Sequence, residues 1–440
     1  MAPTDRVLKS LVKSYYIIII KSQNPSILEM LQVNEAESII LNLVQPLDYQ
    51  RDIETIDLLT SSGRILANPV TSELNFPHWD NSAMDGYALK FEDVKDCSPK
   101  NPISLEIVEE ITAGYKPQKQ IQLGQTARIF TGACMPIGAD TVVIQEVTQA
   151  EGNRVLILEA PEPQAFVQYC GSFYQAGTPV LNPGIYLGAT EIGVLAALQC
   201  TQINVYRRPK VGIISTGDEL VTPEQPLKHG QIVDSNQYAL SVALEKMGVE
   251  VIRFGIVPDK REILQQTIAQ AILNTDFLLS TGGVSVGDYD YVEEILTELG
   301  AEIHIHSVAV KPGKPLTVAN FPNAKCLYFG LPGNPVSALV SFWRFVQPAL
   351  RKLAGVNKTE WGPEFVKAQL VQDLHSQGKR ETYLWGQLNL GNNGYEFKLA
   401  IGSHRSGNLI NLAGATGLAV VPLNETLIPV GESVQVLKIN

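Results

Sequence analysis

The chain has 440 residues, of which 45% are hydrophobic and 18% charged, and this composition excludes a fibrous, collagenous or disordered protein. Its 34 Lys and Arg against 45 Asp and Glu give a formal net charge of −11, so the molecule as a whole repels nucleic acid and anionic membrane surfaces. Any anionic ligand therefore needs a local pocket. The five cysteines lie far apart in the sequence, which argues against a disulfide scaffold or a zinc module.

The N-terminal segment is expected to be a disordered leader of about 29 residues. Its apolar run covers only residues 15–20, whereas a helix that crosses a bilayer needs about 20 residues. No small-residue cleavage site follows the run. We therefore expect a cytoplasmic protein without a membrane span.

The length predicts roughly three domains, and the texture of the sequence suggests where they lie. Apolar residues at helical spacing predict a helix at 35–46 and another at 190–198. Between these helices, short runs rich in Val, Ile and Thr are separated by Gly, Pro and Asn, which predicts β-structure. We expect a helical linking domain made of 30–52 and 164–208, with a β-rich domain at 53–163.

Strands alternate with helices from residue 209 to 355. The predicted order is strand 211–215, helix 237–246, strand 249–257, helix 260–273, strand 277–280, helix 291–299, strand 303–310, strand 325–329 and helix 336–353. This alternation predicts a mostly parallel sheet with helices on both faces. Short β-type runs at 362–440 predict a C-terminal barrel or sandwich, of which we take a small β-barrel as the prediction. The fold class is thus multidomain α/β plus β.

Four polar, glycine-rich turns follow predicted strands. They contain Thr216, Gly217, Asp218 and Glu219; Gly282, Gly283, Ser285 and Asp288; Lys311, Pro312, Gly313 and Lys314; and Pro332, Gly333 and Asn334. Parallel strands present their carboxyl ends at one edge of a sheet, so these turns should lie together. Glycine lets backbone N–H groups approach a ligand, and helix N-termini carry partial positive charge, which suits phosphates or oxyanions. The alternative is four ordinary turns with solvated lysines.

Acidic residues are expected at the same edge, namely Asp218, Glu219, Asp259, Asp288 and Asp290. Carboxylates beside a phosphate are costly unless a divalent cation lies between them, and Mg²⁺ prefers such oxygen ligands. Taken singly, Glu219 also fits a charge at a helix start and Asp259 an N-cap. The nucleotide-binding motifs of P-loop and dinucleotide-binding proteins are absent from the sequence, which disfavours both classes.

Several of these segments resemble a known family. Ser-Thr-Gly-Asp-Glu at 215–219, Gly-Gly-Val-Ser-Val-Gly-Asp-Tyr-Asp at 282–290 and Pro-Gly-Asn-Pro-Val-Ser at 332–337 resemble the molybdopterin-binding fold of molybdopterin adenylyltransferases and molybdopterin molybdenumtransferases. The stretches Asn-Ser-Ala-Met-Asp-Gly-Tyr-Ala at 81–88 and Phe-Thr-Gly-Ala-Cys-Met-Pro-Ile-Gly-Ala-Asp-Thr-Val-Val at 130–143 resemble signatures of the molybdenumtransferase, the MoeA family. The resemblance extends from about residue 31 to the end.

This resemblance implies an elongated homodimer with four domains per subunit. It also implies a reaction in which adenylylated molybdopterin and molybdate react with Mg²⁺, so that molybdenum enters the dithiolene and AMP leaves. Each site would combine the α/β domain of one subunit with the signature loop of the other. The implied partner proteins are a molybdopterin adenylyltransferase and proteins that deliver the cofactor to molybdoenzymes.

Site residues follow from the turns and from the resemblance together. The expected catalytic residues are Asp85, supplied by the other subunit, and Glu219, Asp259 and Asp290, which would also hold the metal. The expected substrate-binding residues are Thr216, Gly217, Asp218, Gly282, Gly283, Ser285, Asp288, Lys311, Pro312, Gly313, Lys314, Pro332, Gly333, Asn334 and Ser337. Molybdate is a tetrahedral dianion and suits hydroxyl, ammonium and amide donors such as Ser285, Lys311 and Ser337. Without the resemblance, Asp85 fits a turn aspartate before Gly86.

The chain departs from the family pattern at two places. Active members usually carry Arg-x-x-Gly-Glu-Asp where this chain has Gln-Tyr-Cys-Gly-Ser-Phe at 168–173, and Ser307 replaces a basic residue found in some members. An active molybdenumtransferase and a non-catalytic, molybdopterin-binding paralogue that acts as carrier or scaffold therefore both stay open. Adenylyl transfer from ATP to molybdopterin is a third reading, which the additional N-terminal domains disfavour.

Overall fold

The computed structural model of the protein describes residues 30–282 and 291–439. Its α-helices, numbered in chain order, are α1 (Val33–Leu43), α2 (Phe91–Val94), α3 (Ala189–Ala197), α4 (Asn236–Lys246), α5 (Arg261–Ile272), α6 (Val292–Glu298), α7 (Pro335–Ser341), α8 (Gln347–Leu353) and α9 (Leu409–Leu412). Within these residues, no helix has both the length and the apolarity needed to cross a bilayer. The expected leader, residues 1–29, lies outside the described residues.

The N-terminal region is built from short strands. They are β1 (Ile53–Asp57), β2 (Val70–Thr71), β3 (Asn81–Ser82), β4 (Gly86–Leu89), β5 (Ile103–Ile111), β6 (Gln125–Ile129), β7 (Thr141–Ile144), β8 (Thr148–Glu151), β9 (Arg154–Ile157), β10 (Val167–Gln168), β11 (Pro179–Leu181) and β12 (Gln202–Tyr206). Six of them form a sheet in the order β7-β4-β6-β5-β9-β8, while β1 pairs with β12, β2 with β11 and β3 with β10. The β-rich texture predicted for this region is confirmed.

A six-stranded sheet forms the central region. Its segments are β13 (Lys210–Thr216), β14 (Leu220–Val221), β15 (Ile232–Val233), β16 (Glu250–Val257), β17 (Phe277–Thr281), β18 (Glu302–Ser307), β19 (Val310–Lys311), β20 (Pro315–Phe321) and β21 (Cys326–Leu331). The sheet has the order β16-β13-β17-β21-β20-β18, and its first four strands run parallel. The predicted mostly parallel sheet is therefore confirmed.

Helices cover both faces of this sheet because its strands are apolar on both sides. Along β17, Phe277 and Leu279 pack into one buried cluster with α1, α4, α7 and α8, whereas Leu278 packs into a second cluster with α5 and α6. Side chains alternate in direction along a strand, so a continuous apolar run supplies two cores at once.

Two details of the central region differ from the prediction. Strand β20 was not predicted, and it lies antiparallel to both β21 and β18. The short connection between β20 and β21 makes them a hairpin, which interrupts the alternation of strands and crossover helices. The predicted helix at 336–353 is present, but residues Phe342–Val346 form a π-helical turn between α7 and α8.

The C-terminal strands close into a small barrel, which confirms that prediction. They are β22 (Phe365–Leu370), β23 (Leu374–His375), β24 (Glu381–Gly391), β25 (Gly394–Leu399), β26 (Gly417–Val421), β27 (Leu427–Ile428) and β28 (Ser433–Lys438). The barrel runs β24-β25-β22-β28-β26, and the pairing of β26 with β24 closes it. Strand β19 pairs with the start of β24, so this barrel touches the central region directly beside Lys311.

Candidate active site

The polar turns meet at one edge of the central sheet, which we call the carboxyl edge. Strands β13, β16, β17 and β21 are parallel and all end there. Strand β20 runs the opposite way, with Thr317 opposite Gly330, so its first residue, Pro315, lies at the same edge. The turn of residues 311–314, here called the lysine turn, therefore lies beside the others. The convergence expected from the sequence is confirmed for the described turns.

Backbone approaches at this edge require glycine. Gly282 has φ +85°, and a Cβ there would collide with the carbonyl oxygen of Thr216. A Cβ on Gly333 would lie 3.6 Å from Cα of Gly282, and the side-chain amide of Asn236 donates to the Gly333 carbonyl at 2.8 Å. The ends of β13, β17 and β21 are thus in contact with one another. The Thr216 hydroxyl is buried and has no partner among the described residues.

Three predicted acidic residues lie close together at this edge. The backbone N–H of Asp259 donates to Oδ1 of Asp218 at 3.2 Å, and a Cβ on Gly217 would lie 2.6 Å from Oε2 of Glu219. Although Asp259 is exposed overall, partial desolvation of its carboxyl and repulsion by Asp218 and Glu219 raise its pKa. The arrangement therefore favours either a proton or a cation among these carboxylates.

This donor set fits a hard cation in chemistry, since it offers only carboxylate oxygens. Within residues 30–282 and 291–439, however, no three His, Cys, Asp or Glu side chains converge closely enough to form a metal site. The fourth acidic position, Asp290, lies outside the described residues, as do Gly283, Ser285 and Asp288. Desolvation and the charges of Asp218 and Glu219 together raise the pKa of Asp259, but the described carboxylates do not enclose an ion by themselves.

The lysine turn packs against the side of α7, at Ser337 and Ser341. Gly313 has φ +117°, and a Cβ there would lie 2.9 Å from Oγ of Ser341 and 3.6 Å from the carbonyl oxygen of Ser337. The N–H of Val308 donates to the Lys314 carbonyl at 3.0 Å, which closes the turn. Neither lysine forms an ion pair with a described carboxylate, and Ser337 is buried. The turn thus carries two positive charges that no described carboxylate compensates, and it lies beside α7.

The C-terminal barrel adds residues to this edge that the sequence interpretation missed. Nη1 of Arg380 donates to the Val310 carbonyl at 3.1 Å, and the Ser406 carbonyl accepts from the N–H of Val336 in α7 at 3.1 Å. Their positions depend on contacts over long sequence separations. One signal was available, because residues 402–408 (Gly-Ser-His-Arg-Ser-Gly-Asn) have the same glycine and hydroxyl composition as the predicted anion-binding turns.

Asp85 lies directly before β4, in the N-terminal sheet and not in the central one. Its Oδ1 accepts from the Thr131 N–H at 2.8 Å and from the Thr131 hydroxyl at 2.7 Å. These two donors, followed by the charge of Arg128, lower the pKa of Asp85. Among the described residues, none of its hydrogen bonds reaches the central region. The Thr131 donors therefore fix the carboxylate and favour its ionised form, and no described contact joins it to the carboxyl edge.

The segment that departs from the family pattern packs beside the Asp85 loop. Gln168 pairs with Asn81, and the Cys170 N–H donates to Oδ1 of Asp80 at 2.7 Å. The rings of Phe173 and Phe76 lie 5.9 Å apart. Backbone pairing and aromatic contacts hold this segment in place without the charged residues of the usual pattern.

Comparisons with known proteins place the chain in one family. Family models described as the MoeA N-terminal region (domain I and II), a probable molybdopterin binding domain and the MoeA C-terminal region (domain IV) match residues 31–198, 212–352 and 367–439. A molybdopterin molybdenumtransferase of Nostoc sp. is 58% identical over 93% of this chain and 94% of its own length. The Haemophilus influenzae molybdopterin molybdenumtransferase is 36% identical over 76% of this chain and 81% of its own.

A solved structure agrees with the sequence matches. The molybdopterin biosynthesis moeA protein of Pyrococcus horikoshii superposes with a TM-score of 0.80 at 28% identity, covering 93% of this chain and 100% of that one. Since the three family models together span most of the chain and the identity to the Nostoc protein is high, the chain belongs to the MoeA family of molybdopterin molybdenumtransferases.

Proposed function

We propose that this protein inserts molybdenum from molybdate into adenylylated molybdopterin and releases AMP. The observation that carries the proposal is the carboxyl edge: the carboxylates of Asp218, Glu219 and Asp259 follow β13 and β16, the cationic lysine turn precedes β20, and the ends of β17 and β21 lie between them. A substrate that joins an oxyanion site to an adenylyl phosphate needs these two kinds of group along one edge. Membership of the MoeA family supports the same reaction.

We assign molybdate to the lysine turn. Lys311 and Lys314 supply positive charge, Ser337 supplies a hydroxyl, and the positive φ of Gly313 lets the backbone approach the ligand. Ser285 and the remaining substrate-binding residues of the 283–290 turn belong to the same proposal on sequence grounds. Arg380 is positioned to add a third cation, because its guanidinium already bonds to Val310, next to Lys311.

Mg²⁺ is the cofactor that we propose for the acidic part of the edge. Glu219 and Asp259 would hold it together with Asp290, which belongs to the turn outside the described residues. Asp218 would support Asp259, because its Oδ1 accepts a hydrogen bond from the Asp259 N–H. When bound, the ion neutralises charge that develops on the phosphate oxygens. The raised pKa of Asp259 supports a cation here, since an added positive charge relieves the repulsion among the carboxylates.

Cleavage of the phosphoanhydride then rests on positioning and charge neutralisation and needs no nucleophilic side chain. Water or a molybdate oxygen would attack the adenylyl phosphorus, the phosphoanhydride bond would break, and the molybdopterin phosphate would be the leaving group. Attack by water gives AMP directly, whereas attack by molybdate gives an adenylyl–molybdate anhydride that water then cleaves to AMP and molybdate. The dithiolene sulfurs would replace oxygen ligands of molybdate, which leave as water.

We propose that Asp85 reaches this site from a second subunit, because Thr131 fixes its carboxylate and lowers its pKa while no described contact joins it to the edge of its own chain. The same proposal includes a homodimer in the cytoplasm and two kinds of partner protein, a molybdopterin adenylyltransferase and proteins that deliver the cofactor. It also includes four domains, with the limits 30–52 plus 164–208, 53–163, 209–355 and 362–440.

The direct test incubates the purified protein with adenylylated molybdopterin, molybdate and Mg²⁺ and follows AMP release. We expect release that needs both molybdate and the divalent ion, and a higher thermal midpoint with Mg²⁺ than without it. Asp259→Asn should reduce the Mg²⁺-dependent part of that shift. Retained binding of molybdopterin with no AMP release would instead identify a carrier, and ATP-dependent formation of adenylylated molybdopterin would identify an adenylyltransferase.

A further inference from the structure

The long helix of the central region carries a buried charge that the proposed chemistry does not use. Arg344 lies in the π-helical turn Phe342–Val346, and its side chain is 4% exposed. Turns of this kind insert one residue into a helix and often occur at functional sites. A buried guanidinium is costly unless its partners are well placed, so the partners of Arg344 show what the residue holds together.

Arg344 bonds to helix α1 on one side. Its Nη2 donates to Oε2 of Glu37 at 2.9 Å and to Oδ1 of Asn34 at 3.2 Å. Just before α1, the N–H of Leu31 donates to the Ser307 carbonyl at 3.2 Å, and the Leu31 carbonyl accepts from the N–H of Ala309 at 2.8 Å. The residue that leads into α1 is therefore hydrogen-bonded to residues 307–309 along one side.

On its other side Arg344 bonds towards strand β24. Its Nε donates to the Tyr383 hydroxyl at 3.0 Å, and that hydroxyl donates to Oε1 of Glu381 at 2.6 Å. Burial raises the pKa of Tyr383 well above 10, so the hydroxyl stays protonated and serves as acceptor and donor at once. The N–H of Glu381 donates to the Ala309 carbonyl at 3.0 Å. Strand β24 is therefore hydrogen-bonded to residues 309–311 on a second side.

Both sets of hydrogen bonds fix the segment that leads into the lysine turn. Leu31 holds it at residues 307–309, β24 holds it at 309–311, and Arg344 is bonded to the two elements that carry these contacts. The third guanidinium nitrogen, Nη1, is buried and has no partner among the described residues. An apolar side chain would fill the same space without that cost, which argues that the charge is retained for its directional bonds.

We propose that Arg344 is a positioning residue for the oxyanion part of the site, which it serves by locking α1 and β24 around residues 307–311 and so fixing Lys311 and Gly313. The inference rests on the proposed function, because it assigns Arg344 to the molybdate step. It concerns positioning only, since Arg344 does not touch the lysine turn itself.

The test compares Tyr383→Phe, Arg344→Lys and the double variant with the wild-type protein. Tyr383→Phe removes one hydroxyl and keeps the ring. We expect the KM for molybdate to rise about three- to tenfold, the size of one lost hydrogen bond, while kcat at saturating molybdate and the KM for adenylylated molybdopterin stay within about twofold. The KM for molybdate of the double variant should not exceed that of the single variant with the larger effect, because both changes interrupt the same chain of hydrogen bonds.

Arg207→Lys is the matched control. Arg207 also pairs with two carboxylates, those of Asp52 and Asp276, and its side chain is 26% exposed. Asp276 directly precedes β17, so this pair lies at the opposite edge of the sheet. The control should lower thermal stability without changing the KM for molybdate.

Amide hydrogen exchange provides a readout that needs no substrate. We expect faster exchange at residues 308–314 in Tyr383→Phe and an unchanged rate there in Arg207→Lys. A folded Tyr383→Phe protein with unchanged exchange at 308–314 and an unchanged KM for molybdate would overturn the inference. A wild-type protein without molybdate-dependent AMP release would refute the proposed function and the role in the molybdate step with it, while the exchange rates would still decide whether Arg344 fixes the lysine turn.

Discussion

Lys311 is the side chain on which the assignment of the oxyanion site depends most. It follows β18 at the carboxyl edge, pairs through its backbone with Thr382, and has no described carboxylate partner. Lys311→Ala removes a charge-assisted contact, so we expect molybdate binding to weaken by about 1.5 to 3 kcal/mol. Measuring AMP release against molybdate concentration checks this value.

Lys367→Ala controls for the loss of a lysine as such. Lys367 is exposed on β22 of the barrel, so its removal should leave the molybdate dependence as it is. Equal molybdate dependence in the Lys311→Ala and wild-type proteins would remove Lys311 from the site.

The carboxylate of Asp85 leads to a prediction about pH. Its folded-state pKa lies below the ordinary value because the Thr131 N–H and hydroxyl bond to the ionised form. The group therefore stays charged to more acidic pH than a free aspartate would. Thr131→Val removes the hydroxyl and keeps the backbone donor, so the acid-side fall of kcat/KM should move partway to higher pH.

Stability should respond in the same direction. A lowered folded-state pKa contributes stability above the unfolded value of 3.8 that is lost as pH falls through the folded value. Thr131→Val should reduce that contribution at neutral pH and leave stability below both pKa values almost unchanged. An acid limb of kcat/KM that stays in place would show that Asp85 does not control it.

At the scale of elements, the close contact between the ends of β13 and β17 explains why one turn needs glycine. Gly282→Ala meets two penalties, a positive φ worth about 1 to 3 kcal/mol of strain and a collision with the Thr216 carbonyl. Gly255 in β16 has φ +81° and open space around a Cβ, so Gly255→Ala meets only the first penalty. We expect Gly282→Ala to have the lower thermal midpoint and also to lose AMP release.

The pair of variants separates backbone strain from displacement of the turn. Equal midpoints and equal activities would mean that the contact between Gly282 and Thr216 has no energetic weight, and that the spacing of these two strand ends does not shape the site.

At the scale of the whole molecule, the proposal that Asp85 acts from the second subunit predicts complementation between subunits. At molybdate concentrations well below the wild-type KM, Asp85→Asn and Lys311→Ala should each have little activity, whereas a refolded equal mixture should recover about a quarter of the wild-type activity. Half of the dimers in the mixture are heterodimers, and each of these has one intact site of two.

Complementation and mass measurement answer different questions. A mixture that stays inactive, although sedimentation shows heterodimers, would place Asp85 and Lys311 in the same chain's site or outside the site altogether. A monomer at all concentrations would exclude a shared site.

Elements were predictable where local pattern and tertiary contacts agree. The four parallel strands are apolar runs bounded by polar turns, and each needs only an apolar layer on either face. Strand β20 was missed because its run follows the lysine turn so closely that nothing local distinguishes a hairpin from a crossover. The π-helical turn at Phe342–Val346 was missed because a helical apolar pattern continues across it.

The candidate site was predictable only in part for a related reason. Thr216, Gly282 and the lysine turn follow predicted strands, so the rule for parallel sheets was enough to bring them together. Arg380 and Ser406 come from the barrel, and Thr131 bonds to Asp85 across 46 positions. Their roles depend on pairings between distant segments, for which a single sequence carries no spacing rule.

The sequence by itself determined the class of fold, the edge at which ligands should bind and the chemistry of that edge, because each of these follows from local periodicity and from the kinds of side chain in the turns. Only the tertiary structure decided that the barrel lies beside Lys311, that Asp85 is held by Thr131, and that Arg344 joins α1 to β24. These features are long-range contacts, and their geometry is set by how separate cores pack together and not by the residues next to them in the chain.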